Sequence, residues 1–234
     1  MEIIGIIGAM EQEVATLKEK MTQVKELQFA GMTFCEGVLC GKNVVVVRSG
    51  IGKVNMAVCA QILAGHFQVN KLINTGIAGS LCNDINIGDI VISTNALQHD
   101  VDATGFGYAR GVIPQMEKSC FEADEALITL AKNACEKVNT DIQVFTGRVV
   151  SGDQFISKDE VKQDLIDTFQ GLCTEMEGAA MAQVAWLNKI PFVVIRAISD
   201  KADHSAEVDY SEFEAKAIEH SVKLVCQMLE DLGE

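Results

Sequence analysis

Proline is almost missing from this 234-residue chain: only Pro114 and Pro191 occur, and no Ser/Gly/Pro-rich stretch divides it. With no linker in sight, no repeat and no low-complexity tract, residues 1–234 read as one domain, a length that α/β folds reach undivided. Basic residues are scarce too, with 19 Lys and Arg against 33 Asp and Glu and a formal net charge of −14. Binding a phosphate backbone needs clustered Lys and Arg, so nucleic acid is excluded as a polymeric partner, and anionic membranes are disfavoured for the same reason. No apolar run reaches the length of a membrane span. The opening MEIIGIIGAMEQE carries an acid at residue 2 and no basic region, which reads as a first strand and not as a signal peptide. Cysteine is plentiful at eight, yet no C-x-x-C pair exists, and His66, His99, His204 and His220 form no ligand spacing with the thiols. Most of these cysteines sit in apolar strings such as AVCAQIL and VCQML, where a free thiol behaves as a small hydrophobe. Free thiols in a reducing cytoplasm, and no metal, are the expectation. The Walker loop, the G-x-G-x-x-G turn and the G-x-S-x-G elbow are all missing, which leaves nucleotide triphosphate, dinucleotide and serine-hydrolase chemistry without support.

What is present is alternation. Hydrophobic residues make up 48% of the chain, and β-rich runs recur at 3–7, 43–47, 71–74, 89–93, 148–151 and 192–198. Several are continuous, as strands buried on both faces should be. Between them lie helical patterns at 12–21, 54–67, 123–138, 158–169, 177–187 and 211–232, the last with apolar residues at helical spacing. The pattern predicts an α/β domain with a largely parallel or mixed sheet flanked by helices. The longest irregular stretch, 95–121, carries Phe106, Tyr108, Ile113 and Met116, which are poor loop residues if left in water.

Acids stand where extended segments stop: Glu11 and Glu13 after MEIIGIIGAM, Glu175 and Glu177 around GLCTEM, Asp200 after FVVIRAIS. In an α/β sheet the ends of strands are where ligands bind, and a carboxylate there can be tuned for acid–base work. Each cluster alone also fits a plainer use, since Glu in a first helical turn stabilises the helix dipole. Three glycine turns, G-A-M at 8–10, S-G-I-G-K at 49–53 and N-T-G-I-A-G-S at 74–80, permit either close approach of a ligand or simple reversal. Phe155 in SGDQFI suits stacking on a planar heterocycle or filling core. Met176 suits a sugar face or a packing gap. Arg196, inside an apolar strand, needs a carboxylate partner, with Glu175 and Glu177 as the candidates.

At these strings the chain resembles the 5′-methylthioadenosine/S-adenosylhomocysteine nucleosidases of the nucleoside phosphorylase superfamily. The matching segments are GIIGAMEQEV, SGIGKVN, NTGIAGS, NIGDIVIS, HDVDATGFGYARG, SGDQFI, TEMEGAA and PFVVIRAISDKAD, in order over almost the whole length. The resemblance implies a single-domain three-layer α/β fold with a central mixed, twisted sheet flanked by helices. It implies hydrolysis of the N-glycosidic bond of methylthioadenosine, S-adenosylhomocysteine and 5′-deoxyadenosine in methionine salvage, by a cytoplasmic homodimer that needs no metal or organic cofactor. It also implies roles. Glu13 matches the base that activates water, and Asp200 the acid that protonates adenine N7. Glu177 and Met176 match the ribose-binding pair, Phe155 the stacking ring, and Ile156 and Ala202 the purine pocket. Met10, Ile51, Gly79, Ala103, Phe106, Pro114 and Tyr210 match positions around the sugar and alkylthio group, while Ser199 and Arg196 match supports that orient Asp200 and Glu175. Two strings depart from the family pattern: NTGSAG reads NTGIAG, which places Ile77 where a hydroxyl is usual, and VEMEATA reads TEMEGAA. Opposite tuning of the two reacting carboxyls is expected, with Asp200 titrating high and Glu13 ionised.

Two rivals remain. A purine nucleoside phosphorylase on the same fold needs an anion cradle, and no basic residue stands beside Asn74 and Thr75. AMP nucleosidase and futalosine hydrolase add no motif found here. A non-catalytic nucleoside-binding module would keep Phe155, Met176 and Glu177 without needing both Glu13 and Asp200.

Overall fold

Valine and isoleucine runs with no polar alternation need helices on both sides, and the strands bear this out. In the computed structural model, which describes residues 2–233, β1 spans Ile3–Gly8, β4 spans Lys42–Arg48 and β10 spans Phe192–Asp200. Met1 and Glu234, the ends of the predicted domain, lie outside the described residues. Along β4, Val45 and Val47 pack into one core while Val44 and Val46 pack into the other. Strand β10 divides likewise, with Val194 and Ile198 on one face and Val193, Ile195 and Ala197 on the opposite one. Helices α2 (Lys53–Gly65) and α5 (Gly178–Asn188) cover the first face; α1 (Glu11–Lys20), α3 (Glu125–Val138) and α6 (Ala206–Asp231) cover the second. The result is a three-layer mixed α/β domain, as expected.

The remaining strands are β2 (Thr22–Phe29), β3 (Met32–Leu39), β5 (Lys71–Ser80), β6 (Ile90–Gln98), β7 (Cys120–Glu122), β8 (Val144–Ser151) and β9 (Cys173–Glu175), with α4 at Asp159–Phe169. The sheet is mixed: β1 lies parallel to β4 and β5, and β10 is parallel to β5 but antiparallel to β6. It is not open throughout. Strands β5, β10, β6, β8 and β9 each pair with the next, and β9 pairs back to β5 through Gly79–Thr174 and Ser80–Cys173. That ring narrows one end of the sheet into a mouth, where the ends of β1, β5, β9 and β10 meet.

Three features differ from the sequence reading. The β2–β3 hairpin was not foreseen, because β2 is exposed along most of its length and carries no apolar pattern. The N-T-G-I-A-G-S segment is no turn: it continues β5 to Ser80. The 95–121 stretch is partly ordered, with β6 reaching Gln98, a 3₁₀ turn at Thr104–Phe106 and β7 beginning at Cys120. Ile113 and Met116 from this stretch pack against the chain's own core, whereas Phe106 is 86% exposed.

Candidate active site

A cleft of about 290 Å³ opens at the mouth of the ring, lined by Ala9, Met10, Glu13, Ile51, Ile77, Ala78, Gly79, Gln154, Phe155, Ile156, Thr174, Glu175, Met176, Glu177, Ser199, Asp200 and Tyr210. All three acidic clusters of the sequence therefore contribute to one place. The cleft lining contains neither Lys nor Arg.

Glu13 lies in the first turn of α1, where it both caps the helix and faces the cleft. Its Oε2 accepts hydrogen bonds from the amides of Ala9 (2.6 Å) and Met10 (2.9 Å), so the carboxylate caps its own helix. Its Oε1 accepts from the Ile77 amide of β5 at 3.2 Å and lines the cleft. Burial pushes this carboxyl above the ordinary glutamate value, against the pull of the Arg196 charge and of the three amides. The expected opposite tuning is thus not seen in direction, because burial acts on Glu13 as it does on Asp200.

Asp200 ends β10, just past a shift of register between Ile198 and Asp200. Its Oδ2 accepts from the Ser199 hydroxyl at 2.8 Å and its Oδ1 from the Ala202 amide at 2.8 Å. Burial raises its titration above the usual aspartate value, and the nearby Asp209 and Asp203 charges add to that, while the two hydrogen bonds oppose it. Ser199 thus touches Asp200 directly.

Glycine makes room for both carboxylates. A side chain at Gly76 would stand 2.5 Å from Glu13 Oε1, and one at Gly79 2.7 Å from Asp200 Oδ1. These two glycines serve close approach and not reversal, which is why the segment can remain a strand. The S-G-I-G-K turn is a true reversal, with Gly50 at φ +87° and Gly52 at φ +98°. There the Gly52 amide donates to Glu177 Oε1 at 2.7 Å.

Glu175 and Glu177 face different duties. Glu175 accepts from the Ser151 hydroxyl, from Arg196, and from the amides of Glu177 (3.1 Å) and Gly178 (2.7 Å) at the start of α5. Arg196 has therefore chosen Glu175, and it also holds Asn74 of β5. Glu177, with Gly52 as its donor, keeps acceptor capacity toward the cleft. Burial, and next the Glu175 charge, push its carboxyl up to about 8, against the pull of Arg196 and the Gly52 amide.

Phe155 and Tyr210 form a lip, with ring centroids 6.0 Å apart and edge-on at 88°. The Tyr210 hydroxyl lies 3.3 Å from Met10 Sδ and 3.2 Å from Glu214 Oε1, either of which can accept its one hydrogen. Phe155 is 49% exposed, so it is not core filler. The two loops flanking the cleft are tied together: Asp100 receives Lys53 Nζ at 2.6 Å and the Asp153 amide at 3.0 Å, and Asp153 receives the Lys53 amide at 2.8 Å.

Of the sequence-predicted residues, Arg196 sits behind the cleft wall and Ala202 is fully buried beside Asp200. Ala103, Phe106 and Pro114 are not among the residues that line the cleft of their own chain. Ala9, Ala78, Gln154 and Thr174 line it without having been singled out. They fall inside or beside the quoted strings, but small or neutral side chains carry no chemistry by type.

A cleft at strand ends, lined with buried acids, is the site of an α/β enzyme, and comparison with known proteins gives its class. A family model, the phosphorylase superfamily, matches residues 3–230. The 5′-methylthioadenosine/S-adenosylhomocysteine nucleosidase of Bacillus cereus (strain B4264) is 43% identical over 230 residues, covering 98% of this chain and 99% of that protein. Crystal structures of the nucleosidase of the same name superpose closely. That from Neisseria meningitidis, in complex with methylthio-immucillin-A, gives a TM-score of 0.95 at 40% identity over 99% of this chain and 100% of that one. That from Colwellia psychrerythraea 34H, in complex with adenine, gives 0.93 at 42% identity over 97% and 94%. The chain belongs to the phosphorylase superfamily and, within it, to the 5′-methylthioadenosine/S-adenosylhomocysteine nucleosidases.

Proposed function

We propose that this chain hydrolyses the N-glycosidic bond of 5′-methylthioadenosine and S-adenosylhomocysteine, and of 5′-deoxyadenosine through the same adenosine core, releasing adenine and the 5-substituted ribose. The observation that carries the reading is the convergence of Glu13, Glu177 and Asp200 from three distant segments on one cation-free cleft. Cleavage of this bond passes through a sugar bearing positive charge, which an acidic lining free of Lys and Arg suits and which needs no phosphate cradle. Glu13 activates water. Glu177 and Met176 take the ribose hydroxyls and face, Phe155 stacks on adenine beside Ile156, and Asp200 delivers a proton to N7 as the base leaves. Ser199 and Arg196 hold the carboxylates in place. A lining without Lys or Arg supports hydrolysis over phosphorolysis.

The working form is a homodimer in the cytoplasm. All eight cysteines are free, as a reducing compartment favours, and no helix among the described residues is long and apolar enough to cross a membrane. Exposed apolar side chains stand at the cleft's edge and on the turn after β6, with Ile51 54% exposed, Val54 73% and Phe106 86%. Apolar surface of this kind suits a contact with a second copy. On this reading Ala103, Phe106 and Pro114 act at the partner's cleft, closing its 5′ end, rather than at their own.

Glu13→Gln separates chemistry from binding. The variant is expected to bind a non-hydrolysable methylthioadenosine analogue, measured by calorimetry, while adenine release drops by about 10²–10⁴-fold. Loss of binding and of fold together would make Glu13 a helix cap and nothing more.

A further inference from the structure

Lys162 lies on α4, outside the cleft, yet it is only 9% exposed, an unusual place for an ammonium group. Its Nζ donates to the carbonyl of Lys201 at 2.6 Å and faces Asp203 Oδ2 at 3.7 Å. The Lys201 carbonyl belongs to the same peptide unit as the Ala202 amide, and that amide is the donor to Asp200 Oδ1 at 2.8 Å. A planar trans peptide carries its C=O and N–H in opposed, fixed directions, so fixing the oxygen aims the hydrogen. A cation on the carbonyl also polarises the unit and strengthens the N–H as a donor. Ala202 itself sits at φ +51°, a left-handed conformation that a non-glycine residue keeps only when its surroundings hold it there.

We propose that Lys162 is a positioning residue for Asp200, fixing and polarising the Lys201–Ala202 peptide so that its N–H meets the Asp200 carboxyl. The inference rests on the reading of Asp200 as the acid. Other contacts confine the same turn. Lys201 Nζ reaches the Ile85 carbonyl, the Asp203 carboxylate takes the Ser205 amide at 2.9 Å and hydroxyl at 2.7 Å, and His204 meets Asp159 at 3.2 Å. Ala202 packs in a small apolar cluster with Leu165 and Phe169 of α4. Among the described residues, Lys162 is the one whose side chain hydrogen-bonds the carbonyl of the peptide that donates to Asp200.

The charges around Asp200 fix the sign. Asp203 and Asp209 face it and raise its titration, while the Ala202 amide lowers it. Burial pushes the Asp203 carboxyl up, but the Ser205 hydrogen bonds and then the Lys162 charge hold it below the usual range. Removing Lys162 weakens the amide donor and leaves Asp203 unscreened, and both changes raise Asp200. Removing the Asp203 charge does the reverse.

The test is the pH profile of kcat for adenine release from methylthioadenosine by the full chain. Activity that needs protonated Asp200 declines as pH rises through its pKa. Lys162→Met is expected to lower kcat about 10-fold or more, as misplacement of a reacting group does, with KM little changed and the alkaline limb moved to higher pH. Lys162→Gln, which keeps a donor without the charge, should move the limb the same way, and Asp203→Asn should move it to lower pH. A limb and kcat unchanged in both Lys162 variants, even with a lower thermal midpoint, would overturn the proposal and leave Lys162 a packing residue. Asp200→Asn is run beside them. Its expected loss is about 10²–10⁴-fold, and a fully active Asp200→Asn would bring down the reading of Asp200 and this proposal with it, an outcome distinct from silent Lys162 variants alone.

Discussion

Of the four acids that line the cleft, Glu13, Asp200 and Glu177 differ in their donors: Glu13 is held by three amides, Asp200 by one amide and one hydroxyl, Glu177 by the Gly52 amide. Burial raises all three above their ordinary values, and Glu177 reaches about 8 where an ordinary glutamate lies near 4.5. That difference is a statement about stability. As pH rises from about 4.5 to about 8, an unfolded chain has already ionised this group while the folded one retains its proton, so stability declines across the window. Glu177→Gln removes the decline. Its thermal midpoint relative to the unaltered protein is expected to be higher at about pH 9 than at about pH 5. The gain should amount to several degrees, at about 2–4 °C for each kcal/mol in a domain of this size. A gap that does not depend on pH would mean that Glu177 titrates normally. The identity of these acids was readable in the sequence because type and position at strand ends already single them out. Their tuning was not, since the burial of Glu13 beside Ile77 and of Glu177 beside Gly52 depends on segments distant in the chain coming together.

At the level of elements, the strands buried on both faces and all six long helices were legible, because continuous Val/Ile runs and helical spacing are local patterns. The β2–β3 hairpin and the short strands β7 and β9 were not. An exposed strand has no apolar period to read, and a three-residue strand such as β9 exists only because β5 and β8 flank it. The most instructive misreading is N-T-G-I-A-G-S. Glycine in sequence suggests reversal, but here Gly76 and Gly79 run straight through β5 and clear space for Glu13 and Asp200. Gly76→Ala tests this directly. With a methyl 2.5 Å from Glu13 Oε1, something must shift. The expected outcome is a loss of stability of about 1–3 kcal/mol by denaturant titration, the usual cost of overpacking, and a larger fractional loss of adenine release. Full activity in Gly76→Ala would show that Glu13 need not stand where it does.

For the whole molecule, the ring of β5, β10, β6, β8 and β9 gathers the ends of distant strands into one mouth, while the α2 surface and the Thr104–Phe106 turn leave apolar side chains outward. If that surface joins two copies, Phe106→Ala should weaken dimerisation in sedimentation at micromolar concentration. It should also raise KM for methylthioadenosine more than for adenosine, which has no thioalkyl group to cover. A monomer with full activity would contradict the dimer reading.

The central claim, that this carboxylate-lined cleft uses water and not phosphate, is tested most directly by following methylthioadenosine in phosphate-free buffer and again with phosphate in excess, and identifying the sugar product. Adenine and free methylthioribose at the same rate in both are the predicted result. Turnover only with phosphate, yielding methylthioribose 1-phosphate, would contradict it.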